Sequence, residues 1–176
     1  MTARRVRFER LYEQHSDAVT RYCIRRVRNA ALADDACSET FLVAWRRLDH
    51  VPDEPLPWLF AVARRVVGNL VRGDARREAL NRRLSATAGG STGPAEQHDD
   101  PELESALADL REPDREALML VYWDGLTSAE AAAAMGTTPA AVRVRLYRAR
   151  RRLALALRTR QTQVDFLVTK PSKEHP

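Results

Sequence analysis

Lysine is nearly absent from this 176-residue chain: of its 29 Lys and Arg residues, only Lys170 and Lys173 are lysines. A G+C-rich genome raises alanine and arginine codons together, so the placement of the charge says more than the formal net of +5. Cysteine is scarce as well. Cys23 and Cys37 each lack a second cysteine two residues away, and His15, His50, His98 and His175 are scattered without ligand spacing, so no zinc, other metal or cofactor is expected. Free, unreactive thiols are the expectation for the two cysteines, with a disulfide between them left open by sequence alone. No apolar run reaches the length of a membrane span. The opening MTARRVRFERLYEQ has basic residues but no apolar core behind them, so it is no signal peptide. No membrane partner is expected, and a cytoplasmic location follows. Neither half contains a convincing alternating strand, which makes the expected fold all-α.

What is present is concentrated at TSAEAAAAMGTTPAAVRVRLYRARRR, residues 127–152. Thr127 is placed to cap a helix, and Glu130 three residues on closes a capping box. A run of small residues then permits close packing until Gly136, whose left-handed conformation ends the helix at little cost. Thr138 caps the next helix, and Pro139 suits its first position because no amide donor is needed there. Two helices joined by a turn of about three residues make a helix-turn-helix.

On the second of these helices Val142, Leu146, Ala149, Leu153 and Leu157 recur at three- and four-residue steps and form an apolar stripe. Ala140, Val144, Tyr147, Arg148 and Arg151 fall opposite, with Arg143 and Arg145 on the flanks. Such a face suits a major groove: arginine forks onto guanine or pairs with phosphate, and small apolar groups sense a thymine methyl. Between Arg143 and Arg160 the chain carries eight arginines and no acid, a self-repelling density that a polyanion relieves. A solvated basic helix is the competing explanation. Duplex DNA is the expected partner.

The stretch LSATAGGSTGPAEQHDDP, residues 84–101, is rich in Gly, Ser, Thr and Pro and lacks periodicity. It divides the chain into a helical body over 1–84, a flexible linker over 85–101, a helix-turn-helix body over 102–160 and a loosely ordered tail over 161–176. The first body reads as three helices, Phe8 to Val27, Leu32 to Leu48 and Pro57 to about Leu84, with VPDEPLP as a hinge. Cys37, Thr40, Phe41, Ala44 and Leu48 are spaced for burial in the second helix, and Leu59, Val62, Val66 and Leu70 in the third. Trp58 reads as core or rim. Beside the third stripe, Arg65, Asn69, Arg72, Arg76 and Arg83 form a second basic face, with a solvated surface as the rival reading. Gly73 costs about 1 kcal/mol in a helix interior and predicts a break near Arg72. The second helix begins acidic at Asp34, Asp35 and Glu39, which complementation of the helix dipole would by itself explain.

Three segments, DDACSETFLVAW at 34–45, PWLFAVARRVVGNLVR at 57–72 and REALMLVYWDGLTSAEAAAAMG at 115–136, stand in an order that resembles bacterial sigma factors of the extracytoplasmic-function group. The resemblance runs from about Phe8 to Arg158. It implies two helical domains, regions two and four, on a short linker. Asp35, Glu39, Phe41 and Trp45 match positions that dock on the beta-prime coiled coil of bacterial core RNA polymerase, with Ser38 departing from the usual glutamine. Asn69, Arg72 and Arg76 match contacts to the minus-10 promoter element, although Arg65 and Asn69 stand where many relatives have Asn and Asp. Thr138, Ala140, Ala141, Arg143, Val144, Arg145 and Arg148 match minus-35 contacts, with Ala141 and Val144 replacing commonly polar Thr and Ser. The group is often held inactive by an anti-sigma factor, so such a partner is a further implication.

Two rival functions set the tests. A two-domain repressor or activator would bind duplex DNA without any polymerase. A metal-dependent nuclease built on Asp34, Asp35 and Glu39 lacks a histidine, a nucleophile and a phosphate-cradling loop, so no enzyme is expected.

Overall fold

The computed structural model describes residues 3–27, 29–84 and 101–169, with side-chain exposure for 3–27, 29–80 and 102–158. Residues 85–100 of the expected linker 85–101 and the tail end 170–176 lie outside the described residues, as does the side chain of Arg83, and Pro101 begins α4. Every regular element described is helical: α1 (Ala3–Arg26), α2 (Ala30–Arg46), a short 3-10 turn (Leu48–His50), α3 (Pro55–Leu84), α4 (Pro101–Ala108), α5 (Glu112–Tyr122), α6 (Ser128–Met135) and α7 (Pro139–Thr169).

The first three helices form one bundle, each packed on the other two. Asn29 sets the start of α2, its side-chain oxygen accepting from the amides of Ala31 at 2.9 Å and Leu32 at 3.4 Å, a cap worth about 1 kcal/mol. Val19, Tyr22 and Cys23 of α1 meet Ala36, Phe41 and Ala44 of α2 and Leu59, Phe60 and Ala63 of α3 in the core. Tyr22 stacks on Phe60 with ring centroids 4.8 Å apart. Thr40 is fully buried yet satisfied, since its hydroxyl donates to the Ala36 carbonyl at 2.7 Å. Trp58 and Leu70 are only partly buried at the rim.

Helices α4 to α7 form the second body. Val142, Leu146 and Ala149 are buried on α7, which packs against α4, α5 and α6, and Leu153 joins them partly buried. Gly125, at φ 73°, turns the chain after α5 and brings Leu126 back to bond the Leu120 carbonyl at 3.0 Å.

Helices α1 and α3 begin at Ala3 and Pro55, ahead of the expected Phe8 and Pro57, and three larger differences stand beside these. Helix α3 continues without a break through Gly73 to Leu84. The following Asp74–Leu80 segment consists largely of good helix formers, so a single-glycine cost of about 1 kcal/mol does not end the helix. Helix α7 continues through residues expected to be loosely ordered and reaches Thr169. No glycine or proline interrupts residues 140–170, so nothing in the chain stops it earlier. Finally, the two bodies share a boundary: α3 packs directly on α6, and buried residues from both halves form one continuous cluster.

Candidate nucleic-acid and polymerase interfaces

The helix-turn-helix is assembled as its residue types dictate. The Thr127 hydroxyl accepts from the Glu130 amide at 3.2 Å, and the Glu130 carboxylate accepts from the Thr127 amide at 2.7 Å. Hydrogen bonds from the Thr127 side chain and then its amide lower the Glu130 pKa from its ordinary value. Gly136 closes α6 at φ 63°, and the Thr137 amide reaches the Ala132 carbonyl at 2.9 Å. After the turn, the Thr138 hydroxyl accepts from the Ala141 amide at 3.2 Å and opens α7.

This geometry leaves one side of α7 free for a partner. Thr138, Ala140, Arg143, Val144, Tyr147, Arg148 and Arg151 are exposed, while Ala141 and Arg145 are half-buried at the edge of the face. Tyr147 is 65% exposed and Val144 47%, so neither contributes to the core. Two arginines are drawn off by neighbours. Arg150 lies over the Tyr122 ring at 5.5 Å, and Arg152 pairs with the buried Asp114 at 3.7 Å. The face combines guanidinium groups with the amino-terminal end of a helix, whose free amides favour phosphate.

On α3, Arg65, Asn69, Arg72 and Arg76 are all exposed. They are mutually braced: Arg72 donates to the Asn69 side-chain oxygen at 2.7 Å, and Arg76 donates to the Arg72 carbonyl at 3.2 Å. Gly68 lets Arg72 fold across the helix, because a Cβ there would sit 3.3 Å from its guanidinium.

The acidic face of α2 is equally open, with Asp34, Asp35, Ser38 and Glu39 exposed. Phe41 is placed differently from its docking expectation. It is 4% exposed, edge-on to Tyr12 at 4.7 Å and to Phe8 at 6.5 Å, because its position on α2 turns it into the α1 interface. Trp45 is half-buried and held between Phe8 at 5.2 Å and the Arg4 guanidinium at 5.3 Å. Exposed apolar surface on these helices comes from Leu42, three residues after Glu39 on α2, at 40%, and from Tyr12 of α1, against Phe41, at 47%. Leu42 was legible as the residue that breaks the amphipathic order of α2. Tyr12 was legible as the residue one turn after Phe8.

One cluster had no counterpart in the sequence reading. At the end of α1, Arg26 donates to Glu116 of α5 at 2.8 Å and to Asp124 at 2.9 Å, and Arg25 also pairs with Asp124. The Tyr22 hydroxyl donates to the other Glu116 oxygen at 2.8 Å, and Arg26 lies 3.5 Å over the Tyr22 ring. Burial depresses the Arg26 pKa, but Tyr22, Glu116 and Asp124 outweigh it and the net shift is upward. Residues that meet across about ninety positions leave no periodicity to detect.

Residues 11–77 match the family described as Sigma-70 region 2, and residues 101–153 match Sigma-70, region 4. The probable RNA polymerase sigma factor RfaY of Xanthomonas campestris is 34% identical over 153 residues, a match covering 81% of this chain and 38% of RfaY. The chain thus spans well under half of that relative. The ECF RNA polymerase sigma factor SigL of Mycobacterium tuberculosis is 31% identical over 158 residues, covering 84% of this chain and 86% of SigL. Among solved structures, CnrH in complex with the cytosolic domain of CnrY superposes with a TM-score of 0.63 at 28% identity, covering 86% of this chain and 88% of CnrH. Two sigma regions in the expected order on an all-helical frame, with SigL alike over most of its length, establish that the chain belongs to the extracytoplasmic-function group of RNA polymerase sigma factors, a non-catalytic family that directs transcription initiation.

Proposed function

We propose that this chain docks on the beta-prime coiled coil of bacterial core RNA polymerase through α2 and reads two promoter elements through its separate arginine faces. The carrying observation is that the carboxylates of α2 and the guanidinium faces of α3 and α7 are all exposed while each helix keeps its apolar stripe buried. Asp35 and Glu39 supply charge at the docking face, Tyr12 and Leu42 supply apolar contact, and Trp45 borders them. Phe41 acts from beneath by holding Tyr12 in place.

On α3, Asn69, Arg72 and Arg76 contact the minus-10 element. On α7, Arg143, Arg145 and Arg148 supply the polar contacts to the minus-35 element, Thr138 holds the helix start against phosphate, and Ala140, Ala141 and Val144 permit close approach. Residues 1–84 and 102–160 serve as the two binding modules, and the segment between them as the tether that makes their avidity possible. A cytoplasmic location follows from the polymerase partner. Control by an anti-sigma factor is supported by CnrH, which was solved bound to the cytosolic domain of a second protein.

In vitro transcription with purified core polymerase on a genomic promoter library tests this function. Transcripts should start downstream of a shared pair of elements. Specific binding to duplex DNA by the chain alone, with no polymerase dependence, would instead make it a free-standing regulator.

A further inference from the structure

A cavity of about 820 Å³ is walled by the end of α1 and by α3, α4 and α5. Its volume falls within the range of small-molecule sites, about 300–1,000 Å³. Six arginines line it against three glutamates, so its walls are cationic in excess. Arg25 and Arg26 are paired with Glu116 and Asp124, and Arg64 with Glu112 at 3.5 Å. Arg65, Arg72 and Arg115 have no carboxylate partner among the described residues.

The guanidinium of Arg72 is held on the wall itself. It lies across Gly68, where a Cβ would stand 3.3 Å from it, and donates to the Asn69 side-chain oxygen at 2.7 Å. Two donors in the same wall, Nε of Arg25 and Nε of Arg64, are buried with no acceptor. Native proteins pair nearly all such groups, so this wall has donor capacity that its own acceptors do not use.

The rest of the lining sets the chemistry. Guanidinium forks match phosphate oxygens two at a time. Trp123 offers half-buried aromatic surface beside the apolar Val67 and Met119, which suits a flat base. Glu104, half-buried with no ion pair among the described residues, repels a bare anion and accepts from hydroxyl groups. A ligand with phosphates at one end, ribose hydroxyls in the middle and a ring at the other satisfies all three.

We infer that this cavity binds a nucleoside diphosphate. Binding engages Arg72, one of the α3 contacts proposed above for the minus-10 element, so ligand and promoter compete for one guanidinium. The competition rests on that promoter reading, whereas the binding does not.

Calorimetric titration of the full chain with ADP and GDP, each against pyrophosphate and its own nucleoside, tests the site. At least one nucleotide should bind about tenfold or more tightly than either of its halves, because the second half binds as a tethered group. Arg115→Ala and Arg65→Ala should each weaken that nucleotide by about tenfold, the loss of one charged hydrogen bond. Arg143→Ala with Arg148→Ala, on α7, should leave its affinity unchanged. Far-UV circular dichroism should keep the wild-type helical signal in every variant. The same nucleotide, added to the free chain at about three times its wild-type Kd ahead of polymerase and a labelled promoter, should raise promoter half-saturation about fourfold for wild type and less than about 1.4-fold for Arg115→Ala. Equal affinity for nucleotide and pyrophosphate, or loss of binding in the α7 pair in place of Arg115 and Arg65, overturns the site. Tight binding with unchanged promoter half-saturation overturns the competition. A wild-type holoenzyme that ignores the promoter even without nucleotide removes the promoter reading instead, and the titration still decides the cavity.

Discussion

The Tyr22 hydroxyl donates to Glu116 at 2.8 Å, joining the core of the first helical body to a carboxylate of the second. Burial first, and then the neighbouring Glu116 charge, raise the phenol pKa well above its ordinary value against the opposing Arg26 charge, so the hydroxyl stays a donor. Tyr22→Phe removes one of the two donors that reach Glu116 from α1 and leaves Arg26 in place. The expected loss is about 1.5–3 kcal/mol, the range for a hydrogen bond to a charged group. Urea denaturation followed by tryptophan fluorescence measures it. No change in midpoint would mean that the phenol is rehydrated in the native state.

The capping box gives a prediction with a pH sign. The Glu130 pKa is lowered in the folded chain by its bonds from Thr127, so its contribution is present above the unfolded carboxylate value. That contribution is lost as pH falls through the lower, folded value. Thr127→Ala should cost about 1 kcal/mol at neutral pH. The gap between the thermal melts of wild type and variant should narrow as Glu130 protonates, leaving the part owed to the Thr127 hydroxyl accepting from the Glu130 amide. A constant gap at every pH would detach the carboxylate from the cap.

Arg143→Ala and Arg148→Ala should each weaken promoter-directed transcription by a factor corresponding to about 1–3 kcal/mol, the discrimination of one good base contact. Recovery of core polymerase in a pull-down should be unaffected. If both variants transcribe like wild type, the exposed face of α7 is not the reading surface.

Asp35→Ala with Glu39→Ala should show the reverse pattern, losing core polymerase in the pull-down. Both side chains are exposed on α2, so the fold should survive their loss. Full recovery of polymerase would leave the pair as solvated charge, since α2 starts at Ala30 and has no acid in its first turn.

Burial, reinforced by the nearby Cys37, pushes the Cys23 thiol up to about 12 against the opposing charge of Arg26. At pH 8 the folded chain should present almost no Cys23 thiolate to a disulfide reagent. Titration should count at most one fast thiol in the native state and two in denaturant. Two fast thiols in the native state would show that the core of the first body opens readily.

The sequence by itself determined whatever depends on neighbours within a turn or two. Thr127 with Glu130, Gly136, and Thr138 before Pro139 define the helix-turn-helix, because each bond spans at most a few residues. The stripes at Val142, Leu146 and Ala149, and the arginine faces opposite them, follow from helical periodicity alone. Tertiary packing decided the rest. Phe41 was already spaced for burial, but which side chains it packs on depended on where α1 lay, which sets Tyr12 and Phe8 against it. The meeting of Arg26 with Glu116 and Asp124 depended on two bodies coming together across more than eighty positions of sequence, a pairing that no local propensity encodes. Even Gly73, a break when judged by its own cost, stays helical within the longer run of α3.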